Sequence, residues 1–236
     1  MLRYNSSMRK ILKKKYSGVS LVEMLLTMII LTIVMILVGV TLNTMIRASI
    51  MSNGRTTARQ ESEFMLELMR KTIRNSNSEE VLVYTVSGRT YNPTTLRTQD
   101  SNLSGYDGVT PVDGSGTEIH FRPIGYDKWV CVGYFPDSTD SSKGYVLKSI
   151  RQDLLTPSEC FNGQSSQFVA NTLVLNSEDI DVNQLSIRYF NTYDSNYLIT
   201  IDLAVEPTKW VPGSNNISPV FFQQTVVSTQ KLTWED

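Results

Sequence analysis

The sequence predicts an α+β protein in which one long N-terminal α-helix, apolar in its first half and amphipathic in its second, packs on an antiparallel β-sheet head. Three observations carry this. From Met24 to Ile46 there are 23 consecutive residues without Asp, Glu, Lys or Arg. Apolar residues then recur at three- and four-residue spacing as far as Ile73, and after Ser78 the spacing changes to a two-residue alternation broken by turn-rich segments. A chain of 236 residues accommodates one compact domain plus such an extended element.

The N-terminal segment is basic. Residues 1–18 hold Arg3, Arg9, Lys10, Lys13, Lys14 and Lys15 and no acidic side chain. Without them, 16 basic and 23 acidic side chains remain, a formal balance of −7. An acidic remainder argues against general nucleic-acid binding, which needs clustered Lys and Arg to neutralise phosphates.

The run from Met24 to Ile46 covers roughly 35 Å as a helix, enough to cross a bilayer core. The Lys and Arg cluster before it, set against Arg47 and Arg55 beyond it, places the N-terminus in the cytoplasm by the positive-inside rule. The apolar run is too long for an ordinary secretory signal, and MIRASIMSNG after it offers no A-x-A cleavage pattern. The unusual chemistry lies at the other end, where Gly18 closes the basic stretch and Glu23 opens the apolar one. A carboxylate at that depth costs about 1–3 kcal/mol in lipid unless a cation offsets it.

The stretch KKKYSGVSLVEMLLTMIIL resembles the type IV prepilin signature, in which a basic leader ends in Gly, the mature chain begins with an apolar residue and a Glu stands five residues into it. Gly18, Val19 and Glu23 match those positions one by one. The resemblance implies removal of the leader after Gly18 by a membrane prepilin peptidase, N-methylation of Val19, and an assembly role for Glu23. That role is pairing with the new α-amine of a neighbouring subunit. The matching segments would be a leader at 1–18, a long helix at 19–76 with its transmembrane part at 19–46, and a β-rich head at 77–236. Two departures stand out: many pilus-forming members begin with Phe and carry a Pro within the apolar run, whereas this chain has Val19 and Gly39.

Beyond the membrane segment, Ile46, Ile50, Phe64, Met65, Leu68, Met69 and Ile73 continue the helical spacing, with Arg, Gln and Glu between them. The run Asn75 to Ser78 is a terminator, so a helix from Val19 to Asn75 would have 57 residues and span about 85 Å. Asn53-Gly54 marks either a bend or a solvated position.

Candidate strands follow at Val81 to Val86, Glu118 to Pro123, Lys128 to Phe135, Tyr145 to Gln152, Leu173 to Leu175, Gln184 to Phe190, Tyr197 to Glu206 and Phe221 to Lys231. GRTYNP, SGYDG and PDSTDSSKG read as turns between them. The hairpin of WVCVGYF and GYVLKSIRQ, and the later strand run, are similar to those of the larger minor pilins and the J-type pseudopilins of type II secretion.

Cys131 and Cys160 fall in different parts of the head and stand either as one disulfide or as two buried thiols. The single histidine, His120, has no Cys, Glu or second His at ligand spacing along the chain, so no metal site is expected and a strand or core role is. No G-x-S-x-G, P-loop, H-E-x-x-H or C-x-x-C occurs, so neither catalysis nor an organic cofactor is expected. Asp137 and Asp140, or Asp100, Asp107 and Asp113, offer oxygen ligands to calcium, which some pseudopilins bind in a head loop; solvated turns are the simpler account. Trp210 is the best candidate for an exposed aromatic contact.

The expected protein is therefore a non-enzymatic minor pilin or pseudopilin. It would span the cytoplasmic membrane once with its head outside, then enter a cell-surface or periplasmic filament. Its partners would be other pilin subunits, the prepilin peptidase, an inner-membrane assembly platform and the lipid bilayer. A monomeric membrane-anchored binding or adhesion module is the alternative.

Overall fold

A computed structural model of the chain describes residues 18, 20–85, 88–100, 116–151, 160–161, 168–191, 197–210 and 218–229. It divides into two compact units, Met1–Ala48 and Ser49–Asp236.

Helix α1 runs over Leu21–Arg74. In the first unit every residue from Leu21 to Ala48 is exposed, and the helix is long and apolar enough to cross a membrane. The four threonine hydroxyls of this unit are spent on the helix itself. Thr27 donates to the Met24 carbonyl at 2.8 Å, Thr32 to Met28 at 2.8 Å, Thr41 to Leu37 at 2.7 Å and Thr44 to Thr41 at 2.8 Å. Hydroxyls satisfied in this way add little cost in an apolar solvent.

In the second unit the helix becomes amphipathic as its spacing predicts. Ala58, Ser62, Met65, Leu66, Met69 and Ile73 are buried and share one face, while Arg59 and Glu63 pair on the exposed side at 2.9 Å. Asn53-Gly54 does not interrupt the helix. A Cβ on Gly54 would stand 3.3 Å from the Pro207 side chain, so glycine here permits a close approach. The helix stops at Arg74, as expected, but Ser76 to Ser78 already belong to the first strand rather than to a loop.

The head contains a five-stranded antiparallel sheet in the order β1-β4-β5-β6-β7. Its strands are β1 (Ser76–Tyr84), β4 (Glu118–Pro123), β5 (Trp129–Pro136), β6 (Gly144–Arg151) and β7 (Thr172–Val174). A three-stranded sheet follows the order β10-β9-β8, from β8 (Ile180–Asn191), β9 (Tyr197–Pro207) and β10 (Phe221–Ser228). A small hairpin pairs β2 (Arg89–Asn92) with β3 (Arg97–Asp100), and a short helix α2 covers Phe168–Asn171. The hairpin corrects the reading of GRTYNP as a turn: Arg89 to Asn92 form a strand, and only the following residues turn. The Asn92 Oδ1 accepts hydrogen bonds from the Thr94 and Thr95 amides at 2.9 and 3.1 Å, closing that turn.

One core joins the buried helix face to Val81, Val83, Ile119, Phe121, Val130, Val132 and Val146 of the large sheet, and to the inward residues of the small one. In β9 these are Ile199, Ile201, Leu203 and Val205, a strict two-residue alternation. In β8 the inward set passes from Ile180 and Val182 to Leu185 and Ile187, and the change of parity coincides with an irregularity in register between Val182 and Gln184. The extra residue keeps apolar side chains on the core face where a regular strand would turn them outward. Each large apolar side chain buried here is worth about 1.5–3 kcal/mol. The result is the α+β, pilin-like arrangement that the resemblance implied.

A second cluster lies on the other face of β5. Tyr91, Cys131, Phe135, Leu147, Cys160, Phe161 and Phe168 are buried together. The Phe135 and Phe161 rings meet edge to face, with centroids 4.9 Å apart, and the Thr98 hydroxyl donates to the Phe161 carbonyl at 2.8 Å. Thus the β2-β3 hairpin, Cys160-Phe161 and Phe168 cap the sheet face that the helix leaves open.

Candidate functional site

The N-terminal site is built on the first turn of α1. Gly18 is exposed; Val19 and residues 1–17 lie outside the described residues. The Ser20 carbonyl accepts hydrogen bonds from the Glu23 amide at 2.9 Å and the Met24 amide at 3.1 Å, so Ser20 is the N-cap. Glu23 stands three positions on, the S-x-x-E spacing of a capping box, and its carboxylate also favours the positive end of the helix dipole. The spacing thus puts Glu23 at the helix N-terminus, where its charge suits the dipole, beside the assembly role that the resemblance implies. The S-x-x-E spacing was the signal for that placement.

In the head, the sequence-expected residues are brought together in an unexpected way. Cys131 and Cys160 form a disulfide, with Cα atoms 6.1 Å apart. Strand register places His120 opposite Cys131, across from Ser149. His120 is fully buried. It is therefore the core histidine expected, but the absence of nearby Cys and Glu inferred from spacing is corrected: Glu118 lies beside it on the same strand face and the two cysteines beside it on the next elements. Pairing between β4 and β5 makes neighbours of residues that local spacing keeps apart.

The His120 Nε2 is hydrogen-bonded to Glu118 Oε1, and Arg89 Nη1 reaches Glu118 Oε2 at 3.3 Å. Glu118 and Arg89 are themselves buried, so the carboxylate and guanidinium compensate each other where water cannot. Tyr84 leans on the imidazole at 4.7 Å between ring centroids. Burial, with the negative charge of Glu118, pushes the Tyr84 hydroxyl pKa up. His120 Nδ1 is buried and has no hydrogen-bond partner, a state that costs about 1–3 kcal/mol.

The loop carrying Asp137 and Asp140 is organised by its own side chains. Asp137 Oδ1 accepts from the Thr139 amide and hydroxyl, both at 2.7 Å. Asp140 Oδ1 accepts from the Ser142 amide at 3.1 Å and hydroxyl at 2.6 Å. Burial raises the Asp137 carboxyl pKa, but the hydrogen bonds from Thr139, Asp140 and Tyr145 outweigh it and hold the group below its usual range. The Tyr145 hydroxyl is pushed up to about 12, by burial first and by Asp137 second. Both aspartates act as turn formers. Asp107 and Asp113 lie outside the described residues, as does the side chain of Asp100.

Trp210 is not the free contact expected of it. It is partly buried, and the guanidinium carbon of Arg55 stands 5.7 Å from its ring centroid, a cation–π pair that ties helix to head. Nearby, Lys209 pairs with Asp179 at 2.6 Å, and the Ser177 amide donates to Glu61 at 3.0 Å.

Among the described residues, an open groove of about 520 Å³ lies on the β8-β9-β10 sheet, lined by Arg188, Asp202, Phe222 and Gln224 among others. A smaller hollow of about 250 Å³ is lined by Ile50, Asn53, Gly54, Thr57, Asp179, Pro207 and Lys209. In the groove, Arg188 and Gln224 each bond to Asp202 at 2.6 Å, which pairs these three side chains with one another.

Residues 13–39 match the prokaryotic N-terminal methylation motif, the signature of type IV pilins and pseudopilins. The matched stretch contains Gly18, Val19, Glu23 and Gly39 and ends within the exposed apolar part of α1. No curated protein and no solved structure matches the chain. The match covers the N-terminal part of the chain alone; there it supports a type IV pilin-like or pseudopilin reading, and with the apolar helix it fits membrane anchoring.

Proposed function

We propose that this chain is a minor pilin or pseudopilin that is cut after Gly18, methylated on Val19 and assembled by helix packing into a type IV pilus or a type II secretion-like filament. The observation that carries this reading is the methylation motif at residues 13–39, whose part from Leu21 on belongs to a helix with its apolar residues exposed as far as Ala48. An apolar helix with exposed side chains requires lipid before assembly and other helices after it. The β5-β6 hairpin and the β8-β9-β10 sheet support the larger minor pilin and J-type subclass by their layout.

Glu23 would pair with the α-amine that cleavage creates on a neighbouring subunit, an attraction strengthened by the low dielectric of the membrane. The capping-box placement makes Glu23→Gln the informative variant, because Gln keeps the box and removes the charge. Loss of filament incorporation by Glu23→Gln, with membrane insertion intact, is the expected result. Normal incorporation would overturn charge pairing. Loss of incorporation by every variant of the apolar face is expected as well; a wild-type protein that never enters a filament would leave an anchored binding module as the better reading.

Processing is tested separately by mass spectrometry of protein extracted from membranes that contain active prepilin peptidase. The expected chain begins at methylated Val19. A chain still carrying residues 1–18 would sink the cleavage assignment.

A further inference from the structure

We propose that Cys131 and Cys160, in their reduced form, join His120 in a binding site for a soft divalent metal of the zinc type, an alternative to the disulfide they otherwise form. One ring nitrogen of His120 and the two Sγ atoms lie within 4.8 Å of one another, and all three residues are fully buried. Donors around a tetrahedral zinc ion, with bonds of about 2.0–2.3 Å, stand roughly 3.3–3.8 Å apart, so the histidine nitrogen is within about an ångström of its place, while the two sulfurs, joined to each other in the disulfide, must separate once it is reduced.

The histidine is set up as a ligand by its surroundings. Glu118 takes the hydrogen bond at Nε2, which fixes the proton there and leaves the lone pair on Nδ1. Nδ1 is the nitrogen that is buried without a partner. This is the carboxylate–histidine half of a carboxylate–histidine–metal arrangement, to which reduction of the disulfide would add the two thiolates. Charge also balances: a dication, two thiolates, the Glu118 carboxylate and the Arg89 guanidinium that faces it sum to zero, as a buried site requires. Three protein donors leave one tetrahedral position for water.

Reduction and binding are distinct steps. A dithiol reductant breaks the Cys131–Cys160 bond, becoming a disulfide as two thiols form. The metal ion then displaces the two thiol protons, which leave to solvent. In either state the Cys160-Phe161 segment stays fastened to β5, by the sulfur–sulfur bond when oxidised and through the metal when reduced. The sheet cap would thus be held in both redox conditions.

The test uses the full chain in detergent micelles. After reduction with a phosphine, which takes the oxygen of water to become a phosphine oxide, and removal of the reagent without oxygen, cobalt(II) is titrated in. Stoichiometric binding is expected, with thiolate-to-cobalt charge-transfer bands and the strong visible bands of a tetrahedral site, reversed by zinc. Unreduced protein should show none of this. Glu118→Gln should weaken binding by about 10- to 100-fold through the lost orientation of His120, and His120→Asn should weaken it further and change the visible bands. Failure of the reduced wild-type chain to bind cobalt stoichiometrically, whether or not it stays folded, overturns the site. So does an unchanged spectrum and affinity in a folded His120→Asn variant.

Discussion

Gly116 and Ile187 exchange both of their backbone hydrogen bonds, Gly116 N–H to the Ile187 carbonyl at 2.7 Å and Ile187 N–H to the Gly116 carbonyl at 2.8 Å. The next residue, Thr117, donates to the Tyr84 carbonyl at 3.0 Å. A two-residue stretch therefore joins β8 of the small sheet to β1 of the large one. A Cβ at Gly116 would collide with the Tyr84 carbonyl oxygen and the Val83 side chain. Gly116→Ala should destabilise the head by about 1–3 kcal/mol, read from the denaturant midpoint at constant slope.

The Asp181 carboxyl is pushed up to about 6, chiefly by burial and further by Glu206, Asp140 and Asp137, with Lys143 opposing. A raised pKa in the folded state means that the folded chain binds this proton more tightly than the unfolded one. The resulting stability is fully present below pH about 4 and is lost as pH rises through about 6. Asp181→Asn should therefore be more stable than wild type at pH 7 and gain nothing at pH 3.5–4. A melting-temperature difference that does not change between these two conditions would refute the assignment.

Breaking the Cys131–Cys160 bridge, which spans 29 positions, should cost about 3–4 kcal/mol in the chain-entropy account. The measurement is denaturation with reductant and a chelator together, so that no metal replaces the bond. A Cys131→Ser, Cys160→Ser chain should show the same loss without reductant.

Leu96, at the end of the β2-β3 turn, has φ at 56° and an exposed side chain. A branched side chain in the left-handed region costs about 1–2 kcal/mol, and no burial repays it. Leu96→Gly should leave the hairpin intact and raise stability by about 0.5–1 kcal/mol after the entropy of glycine in the unfolded chain is counted. An unchanged or lower melting temperature would contradict this.

The parts legible in the sequence are those governed by local periodicity. The helix end at Arg74 lies one residue before the expected Asn75, where apolar spacing gives way to the run Asn75 to Ser78, and the bounds of β4 at Glu118–Pro123 are those expected. The β2-β3 hairpin was hidden because RTYN and RTQD are short and mostly polar; their pairing is supported by the cap around Tyr91 and Thr98, which is non-local. The His120 cluster was hidden for a related reason. Its members are separated by as many as 40 positions and are joined only by register across β4 and β5 and by the disulfide. Trp210 looked free because its partner, Arg55, belongs to the distant helix.

Strand β5 has buried residues on both faces: Val130 and Val132 against the helix, Cys131 and Phe135 beneath the cap. In evolutionary terms it is two interleaved texts. Even positions pack with the helix, odd positions with a cap made of the β2-β3 hairpin, Cys160-Phe161 and Phe168. A change on the capped side leaves the helix-facing residues of β5 where they are, because successive side chains of a strand point to opposite faces.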